Sequence, residues 1–242
     1  MKLVKALWVL CVSLVLIVAC NKDDDETALE IGTLTEGGIV FYIAPEPTDL
    51  DGDGDLDTGL VCATEDQSSS VQWSNLVYKP IHNRNYTPSS QDTISYEAYF
   101  ETRDSIEAGA ASASVGSGAM NTATIIAAHD DNHTDNPTMD VDGTYAAALA
   151  SAYLGGGFDD WFLPSKDELN LMYKNLKLEG LGNFSDHPYW SATYANSTTI
   201  LKNGKEEKTI FKSWEHHFDT SGYQGYSDEK YDFYKVRAVR AF

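Results

Sequence analysis

Between Thr48 and Gly59 the chain reads TDLDGDGDLDTG, with Asp49, Asp51, Asp53, Asp55 and Asp57 at alternate positions and Gly52 and Gly54 between them. Calcium takes roughly six to eight hard oxygens at about 2.3–2.6 Å, and carboxylates spaced by glycine let a short loop wrap such an ion. Taking Asp49 as the first position of an EF-hand-like loop puts Asp51, Asp53, Asp55 and Asp57 at ligand positions and Gly54 at the sharp turn. The closing position, where that motif has a bidentate glutamate, is Leu60, and no helical pattern flanks the loop, so an EF-hand is excluded. Carboxylates packed this closely repel one another unless a cation or water screens them. The five aspartates are therefore read as a structural calcium site, with an acidic tip screened by water as the alternative.

Other residue types that do chemistry are scattered. His129 and His133 lie four apart, with Asp130, Asp131 and Asp135 nearby, which makes a transition-metal site chemically feasible. Pro137 and the many Asn and Asp residues of 129–144 argue instead for a loop that would not align the two imidazoles. His216 and His217 are adjacent in a strand-like run, so they point to opposite faces and do not chelate together. Trp73, Trp161, Trp190 and Trp214 are read as core residues.

Several elements hold these groups. GGIVFYI and TGLVCAT (58–64) read as strands on either side of the aspartate repeat, which places it at a hairpin tip. GSGAMNTATIIAAH (116–129) reads as a helix entered through a glycine loop, with Ala119, Ala123, Ile126 and Ala127 on one face, and TYAAALASAY (144–153) as a second helical stretch. In FLPSKDELNLMYKNL, Ser165 and Glu168 form a capping box, and Leu169, Met172, Tyr173 and Leu176 repeat with helical period. YWSATY, TIFKSWEHHF and YKVRAVRAF are strand-like, whereas 66–107 shows no clear period. Helices in the middle and antiparallel strands at both ends define an α+β fold with the two ends in one sheet.

The 242 residues, 42% of them hydrophobic, can build a sizeable core. A net charge of -20 excludes nucleic acid as the main partner and favours cations. Residues 1–19 carry Lys2 and Lys5 before an apolar run shorter than the roughly 20 residues a spanning helix needs, and read as a signal peptide. Ile17, Val18 and Ala19 before Cys20 resemble a bacterial lipobox, which makes Cys20 the lipidated, palmitate-bearing first residue of the mature chain. Asn21 follows that cysteine rather than the aspartate of an inner-membrane retention signal, and NKDDDET resembles an acidic export signal for outer-membrane lipoproteins. Residues 20–30 then form a polar tether and 31–242 one domain. With Cys11 removed and Cys20 acylated, Cys62 is left alone, so no internal disulfide forms, and its apolar surroundings read as buried and inert.

Taken in order, GGIVFYI, GLVCA, NTATIIAA, DWFLPSKDELNLMYKN, YWSATY and VRAVRAF resemble the C-terminal domain of the collagen-like bacterial adhesin Lcl and its lipoprotein relatives, over roughly residues 32–242. The resemblance implies a C-type-lectin-like fold with paired terminal strands, two main helices and long loops, and against that family residues 45–57 look like an insertion. It implies a surface-exposed outer-membrane lipoprotein that binds an extracellular glycan or protein without catalysis. FLPSKDELN is also similar to the helix start of formylglycine-generating, sulfatase-modifying enzymes, but one remaining cysteine cannot supply their cysteine chemistry. A purely structural envelope protein is the other alternative. The sugar-chelating Glu-Pro-Asn, Gln-Pro-Asp and Trp-Asn-Asp motifs of calcium-dependent lectins do not occur: Glu46-Pro47 precedes Thr48, and Trp214 precedes Glu215. Lcl is associated with sulfated glycosaminoglycans, which need a basic face. Residues 199–242 hold eight Lys and Arg against seven Asp and Glu, so this property is not transferred. Arg237 and Arg240 match the family's terminal strand and are expected to act structurally.

Overall fold

A computed structural model describes residues 29–74, 109–135, 145–202, 205–229 and 231–242. The β-branched and aromatic run after Gly37 forms β2 (Gly38–Thr48), which pairs on one side with β1 (Leu34–Thr35) and on the other with β3 (Asp57–Cys62). The last strand, β9 (Val239–Ala241), closes this sheet against β3, with Val61 opposite Arg240. Both ends of the described domain thus share one antiparallel sheet, as the sequence led one to expect. A second sheet runs β4 (Ser68–Val71), β8 (Tyr234–Val236), β5 (Pro188–Lys202), β6 (Lys205–His217) and β7 (Gln224–Asp228), with β7 at its edge. Three helices complete a mixed α+β architecture: α1 (Gly118–Asp135), α2 (Ala146–Ser151) and α3 (Lys166–Met172). None of the described helices is long and apolar enough to cross a membrane.

Two expectations for α1 need correction. The helix does not stop at His129 but continues to Asp135, two residues before Pro137. Extending an existing helix costs little even through Asn and Asp, and the proline sets the limit; residues 136–144 lie outside the described region. The buried face is also rotated from the alanine face, since Ala123 and Ala127 are exposed while Asn121, Thr122, Ile125, Ala128 and His129 are buried. Hydrogen bonding makes those polar positions tolerable inside. Asn121 Nδ2 donates to Ser112 O at 2.7 Å, and Thr122 Oγ1 both donates to Leu163 O and accepts from Leu163 N.

Helix α3 begins as its sequence dictates. Ser165 Oγ accepts from Glu168 N, while Glu168 Oε2 accepts from Ser165 N at 2.7 Å. Glu168 does more than the capping box requires. Its Oε1 accepts from Gly116 N at 2.7 Å and Gly118 N at 3.4 Å, so one fully buried carboxylate serves the N-termini of α1 and α3 together. A Cβ at Gly118 would collide with that carboxylate, which makes glycine necessary there. Leu169, Met172, Tyr173 and Leu176 all face the core, and the helix widens into a π turn over Tyr173–Lys177 before it ends.

Of the four tryptophans read as core residues, Trp73, Trp161 and Trp190 are buried. Trp214 is not: it is only half-buried, because it sits on β6 beside the edge strand, and the Lys166 ammonium lies 4.3 Å from its ring centroid. Cys62 is fully buried and free, and burial pushes its thiol up to about 12, which keeps it inert. Most of 66–107 lies outside the described residues; its start contains β4 and the buried Trp73.

Candidate functional site

The aspartate repeat does form the tip of the β2–β3 hairpin, but only three of its five carboxylates converge. One ligand oxygen each from Asp49, Asp51 and Asp57 lie within 4.8 Å of one another, an arrangement that could hold a metal ion. The five-aspartate set is corrected at Asp53 and Asp55. Both residues are exposed and lie outside the converging group, and Asp53 Oδ1 accepts from Asp55 N at 2.7 Å. The same Asx geometry shapes the rest of the loop. Asp49 accepts from Gly52 N at 2.6 Å and Gly54 N at 3.2 Å, and both glycines hold positive φ (85° and 96°) that other residues rarely adopt.

The loop is also anchored to the core. Leu50, between two of the triad aspartates, is buried in the cluster that contains Phe41, Leu60 and Met172, and it lies close to Gly116 at the approach to α1. Asp57 Oδ2 accepts from Leu50 N at 2.7 Å, which ties the two sides of the hairpin together. Burial first, then mutual repulsion, holds the Asp51 and Asp57 carboxyls above their ordinary value. A cation at the triad relieves that repulsion. Leu60, which stands where an EF-hand would close, is fully buried and faces the core.

The histidine pair does not form a site through His129. Its Nδ1 lies 2.7 Å from Ile125 O and its Nε2 3.2 Å from Ser74 Oγ, and its ring stacks on Tyr145 at 3.8 Å, so both ring nitrogens are engaged. His216 and His217 do turn opposite ways. His216 is fully buried beside Tyr173 and Phe218, and burial pulls it down to about 4. Cys20 and the tether up to residue 28 lie outside the described residues.

Sequence reasoning missed two features of the β6–β7 edge that period-two alternation could have found. Trp214 pairs with Tyr226 across the strands, with ring centroids 5.6 Å apart in T-shaped geometry. Lys166 lies over the first ring and Lys212 over the second, at 4.3 and 5.1 Å. Tyr223, Tyr226, Tyr231 and Phe233 are all exposed in this stretch, an unusual local density of aromatic surface. On the opposite face of β6, Glu215 is almost fully buried.

Burial, followed by the charges of Asp232 and Asp219, pushes Glu215 up to about 7. A raised carboxyl keeps its proton in the folded chain where the unfolded chain has lost it, so its stabilising contribution is complete below about 4.5 and is lost as pH rises through about 7. Buried Glu168, also pushed up to about 7 by burial, acts in the same direction. In metal-free buffer Glu215→Gln should therefore match the wild type near pH 4.5 and exceed it by at least about 1 kcal/mol at pH 8. Urea unfolding at both pH values checks this; an equal stability difference at both would refute it.

Comparison with protein-family models, with curated proteins and with solved structures finds no match to this chain.

Proposed function

We propose that the chain is a lipoprotein of the outer membrane, anchored through Cys20 and exposed at the cell surface. Its domain, of C-type-lectin-like type, binds an extracellular glycan or protein without catalysing a reaction. The observation that carries the binding role is the Trp214–Tyr226 pair, flanked by the Lys166 and Lys212 ammonium groups at the sheet edge. Aromatic rings that keep one face toward water offer large contact area at low entropy cost, and they suit both sugar rings and protein side chains. The pairing of β9 with β3 and the capped helix α3 support the fold assignment, and the residues around Cys20 support the anchor.

In this reading the Asp49–Asp51–Asp57 triad holds a calcium ion with a structural role. Its oxygens suit a hard cation, and its buried Leu50 passes the order of the loop to the start of α1. An array of glycans and extracellular proteins tests the binding role; an array without signals would favour a structural envelope protein. Loss of radiolabelled palmitate in Cys20→Ala, together with protease accessibility on intact cells, tests the anchor and the exposure.

A further inference from the structure

Glu215 and His217 stand two residues apart on β6, so alternation turns both side chains to one face. Glu215 is 3% exposed and His217 32%, so the pair runs from the interior to the rim. Glu215 Oε2 lies 3.3 Å from His217 Nε2, yet this buried oxygen has no hydrogen-bond partner. At that separation a hydrogen bond requires the N–H to point at the oxygen. It does not, so the ring nitrogen and the carboxylate oxygen are directed past each other.

That is the relation between two neighbouring ligands of a metal ion. Zinc takes an imidazole nitrogen at about 2.0–2.1 Å and a carboxylate oxygen at about 2.0–2.2 Å, and a tetrahedral angle then separates the two ligand atoms by about 3.4 Å. His217 Nδ1, on the far side of the ring, is 3.7 Å from Asp219 Oδ2. Asp219 is partly exposed, its Oδ1 accepts from Ser221 N and Oγ, and a small rotation would let Oδ2 accept the Nδ1–H, which is how a carboxylate behind a ligating imidazole fixes its tautomer. Opposite Glu215, Gly225 makes room for the Glu215 carboxylate and the Tyr223 ring: a Cβ there would collide with Tyr223 Cε1 and stand 2.7 Å from Glu215 Oε1. Asp219 and Asp232 add negative charge around the pair. A buried carboxylate oxygen with no donor is costly, and a cation removes that cost.

The geometry points to a second metal site, in which Glu215 Oε2 and His217 Nε2 bind a divalent transition metal of the zinc class and water completes the coordination at the exposed rim. It differs from the aspartate triad in chemistry, because imidazole selects zinc-like ions and an all-oxygen site selects calcium. It does not depend on the proposed binding role.

Zinc titration by calorimetry into the full chain in detergent solution, with millimolar calcium present, tests the site. Wild type is compared with Glu215→Gln, His217→Gln and, as a control, Asp57→Asn. The expected result is zinc binding that weakens at least about tenfold in each of the first two variants and is unchanged in the control. No zinc binding to the wild type, or equal binding in wild type and both variants, overturns the proposal. Circular dichroism checks the fold of each variant. His217 is partly exposed, so His217→Gln decides the question even if Glu215→Gln does not fold.

Discussion

Replacing Arg237 with methionine should cost about 3–5 kcal/mol of stability, the range for removing one partner of a buried ion pair. Its guanidinium is almost fully buried between the two sheets. Nε and Nη2 donate to Asp66 Oδ1 at 2.8 and 2.6 Å, and Nη1 donates to Ala63 O and Gly182 O at 2.9 and 2.8 Å. The Phe184 ring covers the group at 4.3 Å. Arg237 lies where the chain passes from β8 to β9, and Asp66 where it passes from β3 to β4, so this one side chain joins both crossings between the sheets. Methionine fills much of the volume but leaves two carbonyls without a donor and Asp66 held only by Lys235 and Tyr189. A domain of this size would melt roughly 6–20 °C lower. Arg240, bonded through Nε and Nη2 to the more exposed Asp160 at 2.7 and 2.8 Å, should lose less on the same replacement. Thermal and urea unfolding of both variants checks the order; a milder loss for Arg237→Met than for Arg240→Met would contradict the structural account.

Asp57→Asn should reverse its effect with calcium. The amide oxygen can still accept the Leu50 N–H, so the hairpin tie survives while one repelling charge is removed. In chelating buffer the variant should equal or exceed the wild type, because Asp57 is held above its ordinary value by burial and by Asp53 and Asp49. With calcium at a hundred times its dissociation constant, the wild type gains about 2.7 kcal/mol and melts roughly 5–11 °C higher, while the variant gains little. Differential scanning calorimetry with and without calcium measures both terms. A wild type that does not respond to calcium would remove the ion from the account.

What the sequence disclosed depends on how local each signal is. The Ser165–Glu168 box, the helical repeat of Leu169, Met172, Tyr173 and Leu176, and the strands on either side of the aspartates are set by neighbours within a few residues, and all are present. Glu168's bonds to Gly116 and Gly118 reach back some fifty residues, and no local pattern announces them. The buried face of α1 is not legible locally for a related reason. Asn121 and Thr122 look like surface residues until Ser112 and Leu163 arrive from elsewhere as partners. Alternation along the aspartate repeat points to five equal ligands, but the Asx turns fold the loop so that only Asp49, Asp51 and Asp57 converge while Asp53 and Asp55 stay exposed. At β6 the adjacent His216 and His217 point apart, and the alternation that matters puts Glu215 with His217 on one face and Trp214 opposite Tyr226 on the other.

The proposed binding role rests on the aromatic edge of β6 and β7, and the most direct measurement is an array of glycans and extracellular proteins read with wild type and Tyr226→Ser side by side. Tyr226 is about half exposed and packs on Trp214, so its loss should lower the melting temperature only modestly, and circular dichroism confirms that the variant stays folded. The account predicts a defined set of wild-type signals that fall at least about tenfold in Tyr226→Ser, as expected for an aromatic anchor at an interface. An array on which the wild type binds nothing, or on which Tyr226→Ser binds as well as the wild type, would contradict it.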